Sequence, residues 1–155
     1  MLLQNKVAVI YGAGGSIGGA IARAYAREGA QVFLSGRAQA NVDAVAQGIR
    51  ASGGSAETAV VDALDEAAVN AFADKVAAQA GRIDISCNVI GVGDVQRPLM
   101  DLSVDEFVQP IVNLMRTQFI TGKAAARHML EHGGGVIVQF GGGGPQTVAG
   151  IGGFK

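Results

Sequence analysis

The densest chemistry in the sequence lies in one short run, Tyr11-Gly12-Ala13-Gly14-Gly15-Ser16-Ile17-Gly18-Gly19. It follows an apolar stretch at residues 7–11 and precedes a segment whose apolar residues recur at helical spacing. The first amides of a helix have no intrahelical acceptor, point outward and lie at the positive end of the helix dipole. A pyrophosphate fits there only where no side chain intervenes, and glycine removes the side chain. Gly12, Gly14, Gly15, Ser16, Ile17 and Gly18 are therefore the candidate diphosphate-binding residues. The strict G-x-G-x-x-G pattern fails, because Ile17 stands where its third glycine belongs. A glycine-rich structural turn is the alternative, and the strand–loop–helix context favours a bound dinucleotide.

The end of the second apolar stretch bears on which dinucleotide. A carboxylate there would hold the ribose hydroxyls of NAD. Ser35-Gly36-Arg37 offers none, and the next acid, Asp43, falls inside the following helical segment. Arg37 supplies a guanidinium suited to a 2′-phosphate. It reads either as a phosphate ligand or as a solvated surface arginine; the first is preferred, so NADP(H) is expected, with NAD(H) possible. Cys87 reads as a small buried hydrophobe within a strand rather than a nucleophile. His128 and His132 are four apart, a spacing that could hold a metal. No acid or cysteine ligand set accompanies them, so charge complementarity at a helix end is the preferred reading and no metal is expected. Arg97 is equally compatible with a pocket rim and with ordinary loop charge.

The elements needed to position these residues follow from periodicity. Residues 7–11, 31–35, 58–61, 83–87 and 136–140 are short apolar runs, the pattern of strands buried in a parallel sheet. Between them, residues 17–28, 41–50 and 65–80 carry helical spacing, with Gly29, residues 52–54 and Gly81 at their ends. Residues 103–131 form a longer helical segment, opened by Ser103 and Glu106 in capping-box form; Pro110 implies a later start or a kink. Strands alternating with helices predict an α/β fold, a doubly wound parallel sheet of five strands with helices on both faces. Phe107, Ile111, Leu114, Met115 and Phe119 exceed what one core-facing stripe needs.

The bulk properties agree. The chain has 155 residues, 49% hydrophobic and 16% charged, with a net charge of −1. One globular domain over residues 1–155 is expected. The near-neutral charge gives no support for nucleic-acid binding. No apolar run is long enough to span a bilayer, and the first six residues lack the pattern of a secretory signal. A single cysteine fits a reducing cytoplasm.

Several motifs, in order, resemble those of the short-chain dehydrogenase/reductase family. Gly12, Ser16 and Gly18 are spaced as in T-G-x-x-x-G-x-G, with Tyr11 for the threonine and Ser16 for the middle glycine. Val61-Asp62 resembles the acid after the third strand, and Gly81-Arg82-Ile83-Asp84-Ile85-Ser86-Cys87-Asn88-Val89-Ile90-Gly91 resembles G-R-I-D-x-L-V-N-N-A-G. Asn113 falls where the family has its catalytic asparagine. The resemblance covers essentially the whole chain. It implies a Rossmann fold and a site in which Asp62 and Ala63 meet the adenine while Asn88 and Gly91 line the cofactor. It also implies an NADP(H)-dependent oxidoreductase acting on a carbonyl or alcohol of a small molecule, assembled as a dimer or tetramer. The family's serine position is taken by Gly141, with Gly142 beside it, and its tyrosine position by Phe154. Lys155 matches the family lysine only if Ile151 occupies the tyrosine position. The family's fold continues past this length, so its C-terminal part is expected to be missing. The alternative is a dinucleotide-binding sensor or interaction partner without catalysis.

Overall fold

The protein is described by a computed structural model, which covers residues 1–91, 93, 97–141 and 151–152. Strand β1 (Val7–Tyr11) leads through the glycine run into helix α1 (Ser16–Arg27). Then come β2 (Gln31–Gly36), α2 (Gln39–Ala51), β3 (Ser55–Val60), α3 (Glu66–Ala80) and β4 (Ile85–Asn88). The short β5 (Arg97–Pro98) and a single 3₁₀ turn (Leu99–Asp101) precede the long α4 (Val104–Glu131), β6 (Val136–Gln139) and β7 (Ile151–Gly152).

Five strands form one parallel sheet in the order β3-β2-β1-β4-β6. The order reverses at β1, between β2 and β4, which makes the carboxyl end of β1 the topological switch point. Alternate residues of a strand face opposite sides of a sheet, so β1 feeds two cores. Val9 and Tyr11 pack with Phe33, with Val69, Phe72 and Val76 of α3, and with Ile120, Ala124 and Met129 of α4. Ala8 and Ile10 pack with Val32 and Leu34, with Ala22 of α1, and with Val42, Val45 and Ile49 of α2. Cys87 lies wholly buried in this second core. Burial pushes its thiol up to about 11, which keeps it protonated and inert at neutral pH.

The lower end of the sheet is pinned by Asp84, a buried carboxylate just before β4. Its Oδ2 accepts from the Val7 amide at 2.9 Å, and Lys6 and Arg82 supply opposite charge. That arrangement explains why the fourth strand starts at Ile85 rather than at residue 83. Residues 83 and 84 turn into the ladder before pairing begins. The third strand, expected over 58–61, runs from Ser55 to Val60, because its polar early residues pair on an outer strand with one side half-exposed. α4 starts directly after Ser103 and passes through a buried Pro110 without waiting a turn. The pair β5–β7, antiparallel and apart from the main sheet, had no signal in the sequence.

Candidate functional site

The carboxyl ends of β1, β2 and β4 open into a cleft of about 460 Å³. Its lining includes Gly12, Gly15, Arg37, Asp62, Ala63, Gly91 and Asn113, all of them candidates from the sequence. Asn88 lies beneath, 2% exposed. Ser16 and Ile17 are exposed at the head of α1 and are not part of the lining.

The loop takes its shape from two glycines. Gly12 has φ +81°, a left-handed conformation that lets the chain leave β1 sharply. Its amide and that of Ala13 both donate to the Ser35 carbonyl at 3.0 Å, which ties the loop to β2. A Cβ on Gly18 would fall 2.3 Å from the Gly12 carbonyl oxygen, so only glycine lets α1 start this close to β1. The Gly15 amide folds back onto Gly12, and the Gly19 amide reaches Gly15. Among the described residues, the amides of Gly14, Ser16, Ile17 and Gly18 donate to no backbone carbonyl. The N-cap of α1, Gly15, brings no side chain to satisfy them. Four orphan amides at the positive end of a helix, with glycine backbone around them, form a fitting cradle for a diphosphate.

On the β2 side, Arg37 is exposed and lines the cleft, with no ion-pair partner among the described residues. Asp43, the nearest downstream acid, is committed elsewhere: its Oδ1 accepts from Gln39 and from Thr58, each at 2.7 Å. Asp62 Oδ1 accepts from the Leu64 amide at 3.0 Å, which shapes the turn that places Ala63 and Leu64 on the wall.

On the other side, Asn88 fixes the turn after β4. Its Oδ1 accepts from the Ile90 amide at 3.0 Å, and its Nδ2 donates to Thr121 Oγ1 at 3.0 Å. Thr121 in turn donates to the Thr117 carbonyl at 2.8 Å. Asn113 is half-exposed on α4, and its Oδ1 accepts from Gln109 at 3.0 Å. Thr117 and Thr121 were missed from sequence. Their signal was the spacing 113, 117, 121, which puts all three on one stripe of a helix.

Arg97, His128, His132 and Gly141 are not among the residues that line the cleft. Arg97 is ion-paired with Glu106 at the start of α4. His128 Nε2 lies 2.8 Å from Asp74 Oδ1, and His132 Nδ1 lies 2.9 Å from the His128 carbonyl. Gly141 follows β6 and is exposed. Gly142, Phe154 and Lys155 lie outside the described residues. Among the described residues, no helix is long and apolar enough to cross a membrane.

Comparison with known proteins agrees with this geometry. The family model described as short chain dehydrogenase matches residues 6–146. D-threitol dehydrogenase of Mycolicibacterium smegmatis is 37% identical over 138 residues, covering 89% of this chain and 53% of that protein. A metagenomic short-chain oxidoreductase solved in complex with NADP superposes with a TM-score of 0.83 at 33% identity, covering 95% of this chain and 66% of that one. NAD+-bound xylitol dehydrogenase superposes with a TM-score of 0.83 at 29% identity, covering 88% of this chain and 53% of that one. The chain spans about half the length of the curated relatives it matches. Five parallel strands wound on both faces, a glycine loop at the switch point and a match along most of the sequence together establish that the chain belongs to the short-chain dehydrogenase family.

Proposed function

We propose that residues 1–155 are one dinucleotide-binding domain, incomplete at its C-terminal end relative to the family. It serves an NADP(H)-dependent oxidoreductase acting on a carbonyl or alcohol group of a small molecule, in a reducing cytoplasm, as a homo-oligomer. The observation that carries the reading is the set of unpaired amides at Gly14, Ser16, Ile17 and Gly18 at the head of α1, joined to a cleft that Gly12, Gly15 and Arg37 line, with no free acid at the end of β2 among the described residues. The amides hold the diphosphate, and Arg37 meets the 2′-phosphate in a charge-assisted contact. Asp62 and Ala63 flank the adenine, while Asn88 and Gly91 steady the wall beside the nicotinamide. Bound, NADP(H) supplies or takes up the hydride. Asn113, on α4 in the lining of the cleft, orients the reacting oxygen or a water beside it. The relative solved with NADP supports this preference, and the NAD+-bound relative keeps NAD(H) as the alternative.

A second reading, a dinucleotide-binding protein without catalysis, is favoured by one feature. Gly141 stands where the family keeps its serine, and glycine has no hydroxyl to orient a substrate.

Titration of the chain with NADPH, followed by the reduced nicotinamide's own fluorescence, tests the proposal. Saturable binding is expected. Replacing Arg37 by Ala removes about 2 kcal/mol of charge-assisted hydrogen bonding and weakens NADPH about thirtyfold, with little effect on NADH. Equal loss for both cofactors would remove Arg37 from the 2′-phosphate site. Failure of wild type to bind either would end both readings.

A further inference from the structure

We propose that the phenol of Tyr11 is a cofactor-binding group, donating a hydrogen bond from the floor of the cleft to the bound dinucleotide. This rests on the reading of the cleft as a dinucleotide site.

Tyr11 ends β1 at the switch point, with Ser35 and Asn88 as its ladder partners on either side. It stands between the Arg37 side of the cleft and the Asn113 side. Its ring is held edge-on by Phe72 of α3, with centroids 5.8 Å apart and planes at 82°. The residue is 1% exposed and yet lines the cleft. A ring so fixed cannot swing its hydroxyl out to bulk water.

The hydroxyl has no hydrogen-bond partner among the described residues, and Tyr11 is one of the residues that line the cleft. Most other polar side chains there are already committed within the protein. Ser35 Oγ donates to the Ile10 carbonyl at 3.4 Å, and Thr117 Oγ1 donates to the Leu114 carbonyl at 3.0 Å. Asp62 takes the Leu64 amide. Among the described side chains, what is left to a ligand is the Arg37 guanidinium, the second Asp62 carboxylate oxygen, the Asn113 amide nitrogen and the Tyr11 hydroxyl.

A buried hydroxyl without a partner is unfavourable, so it selects for an occupant that offers an acceptor. A dinucleotide offers many, in its phosphates, riboses and adenine. Burial raises the phenol's pKa well above its ordinary value, which keeps the proton on it and makes it a donor rather than a base. A threonine at this position, as in the family pattern, has a side chain too short to carry a hydroxyl to the place the phenol reaches.

The test is Tyr11→Phe, which keeps the ring and its packing on Phe72 and removes only the hydroxyl. The reporter is NADPH fluorescence, which does not depend on the tyrosine. About tenfold weaker NADPH binding is expected, with the thermal midpoint unchanged. Unchanged affinity overturns the inference. Weaker binding accompanied by a clear drop in thermal midpoint also overturns it, since a structural role would then explain the loss. These outcomes presuppose that wild type binds NADPH; if it does not, the reading of the cleft falls with the inference.

Discussion

A single methyl group at position 18 would test the loop more directly than any charge reversal. The Cβ of an alanine there would sit 2.3 Å from the Gly12 carbonyl oxygen and 2.9 Å from Ala13 Cα. Both neighbours are backbone, so no side chain can rotate aside. Gly18→Ala should cost about 2 kcal/mol of stability, read as a lower urea midpoint, and should abolish NADPH binding by moving the amides of residues 16–18. A variant with wild-type midpoint and affinity would contradict the packing of α1 on β1. Much of this scale was legible in the sequence, because glycine spacing is visible without coordinates. Asn88 was legible as a site residue, but not its bond to Thr121, since contacts between distant segments leave no local trace. Tyr11 was legible only as a substitution. Its edge-on contact with Phe72, and its place in the lining of the cleft, depend on how α3 crosses the sheet.

Elements carry their own instructions, and α4 carries the clearest. Ser103 Oγ accepts from the Glu106 amide at 3.2 Å, while Glu106 Oε2 accepts from the Ser103 amide at 2.9 Å, a complete capping box. Ser103→Ala should cost about 1 kcal/mol at neutral pH, measured by urea unfolding. The Glu106 carboxyl is held below its ordinary pKa, first by the Ser103 amide and hydroxyl and then by Arg97. A group whose pKa is lower folded than unfolded stabilises the fold above its unfolded pKa and loses that contribution as pH falls through the folded one. Glu106→Gln should therefore be less stable than wild type at pH 7, with the gap closing in the acid range below the ordinary carboxylate pKa. A gap that stays constant with pH would show that the carboxylate's charge plays no part. This cap also explains why Pro110 neither delays α4 nor ends it. The start is fixed upstream, and burial of Pro110 offsets the one backbone bond it removes. Strand limits were less legible than helix starts. Ser55 and Glu57 hid the beginning of β3, since an outer strand tolerates polar residues, and Asp84 delayed β4 for a reason that lies in β1.

At the scale of the whole molecule, two apolar surfaces stand open, and each suggests a different neighbour. Along α4, Phe107, Met115 and Phe119 are 43%, 56% and 67% exposed, while Leu114 turns into the core. At the sheet's outer strand β6, Val136 and Ile137 are 57% and 42% exposed, and among the described residues no further strand pairs with it. Periodicity revealed the first surface, because α4 has more apolar residues than one stripe requires. The second could not be read from sequence, since an apolar strand looks the same whether or not something covers it. Patches of this kind drive association in water. The chain is expected to sediment heavier than a single copy, in a concentration-dependent manner. If α4 is the contact, Phe119→Glu should return it to the monomer, because a carboxylate buried against a second helix costs several kcal/mol. Val136→Lys should then change little. The opposite result, with Val136→Lys dissolving the assembly and Phe119→Glu leaving it intact, would assign association to the open strand edge, where an added charge blocks pairing with another sheet. Thermal midpoints close to wild type in both variants would show that each change acts on association and not on folding, since both sites are exposed in the single chain.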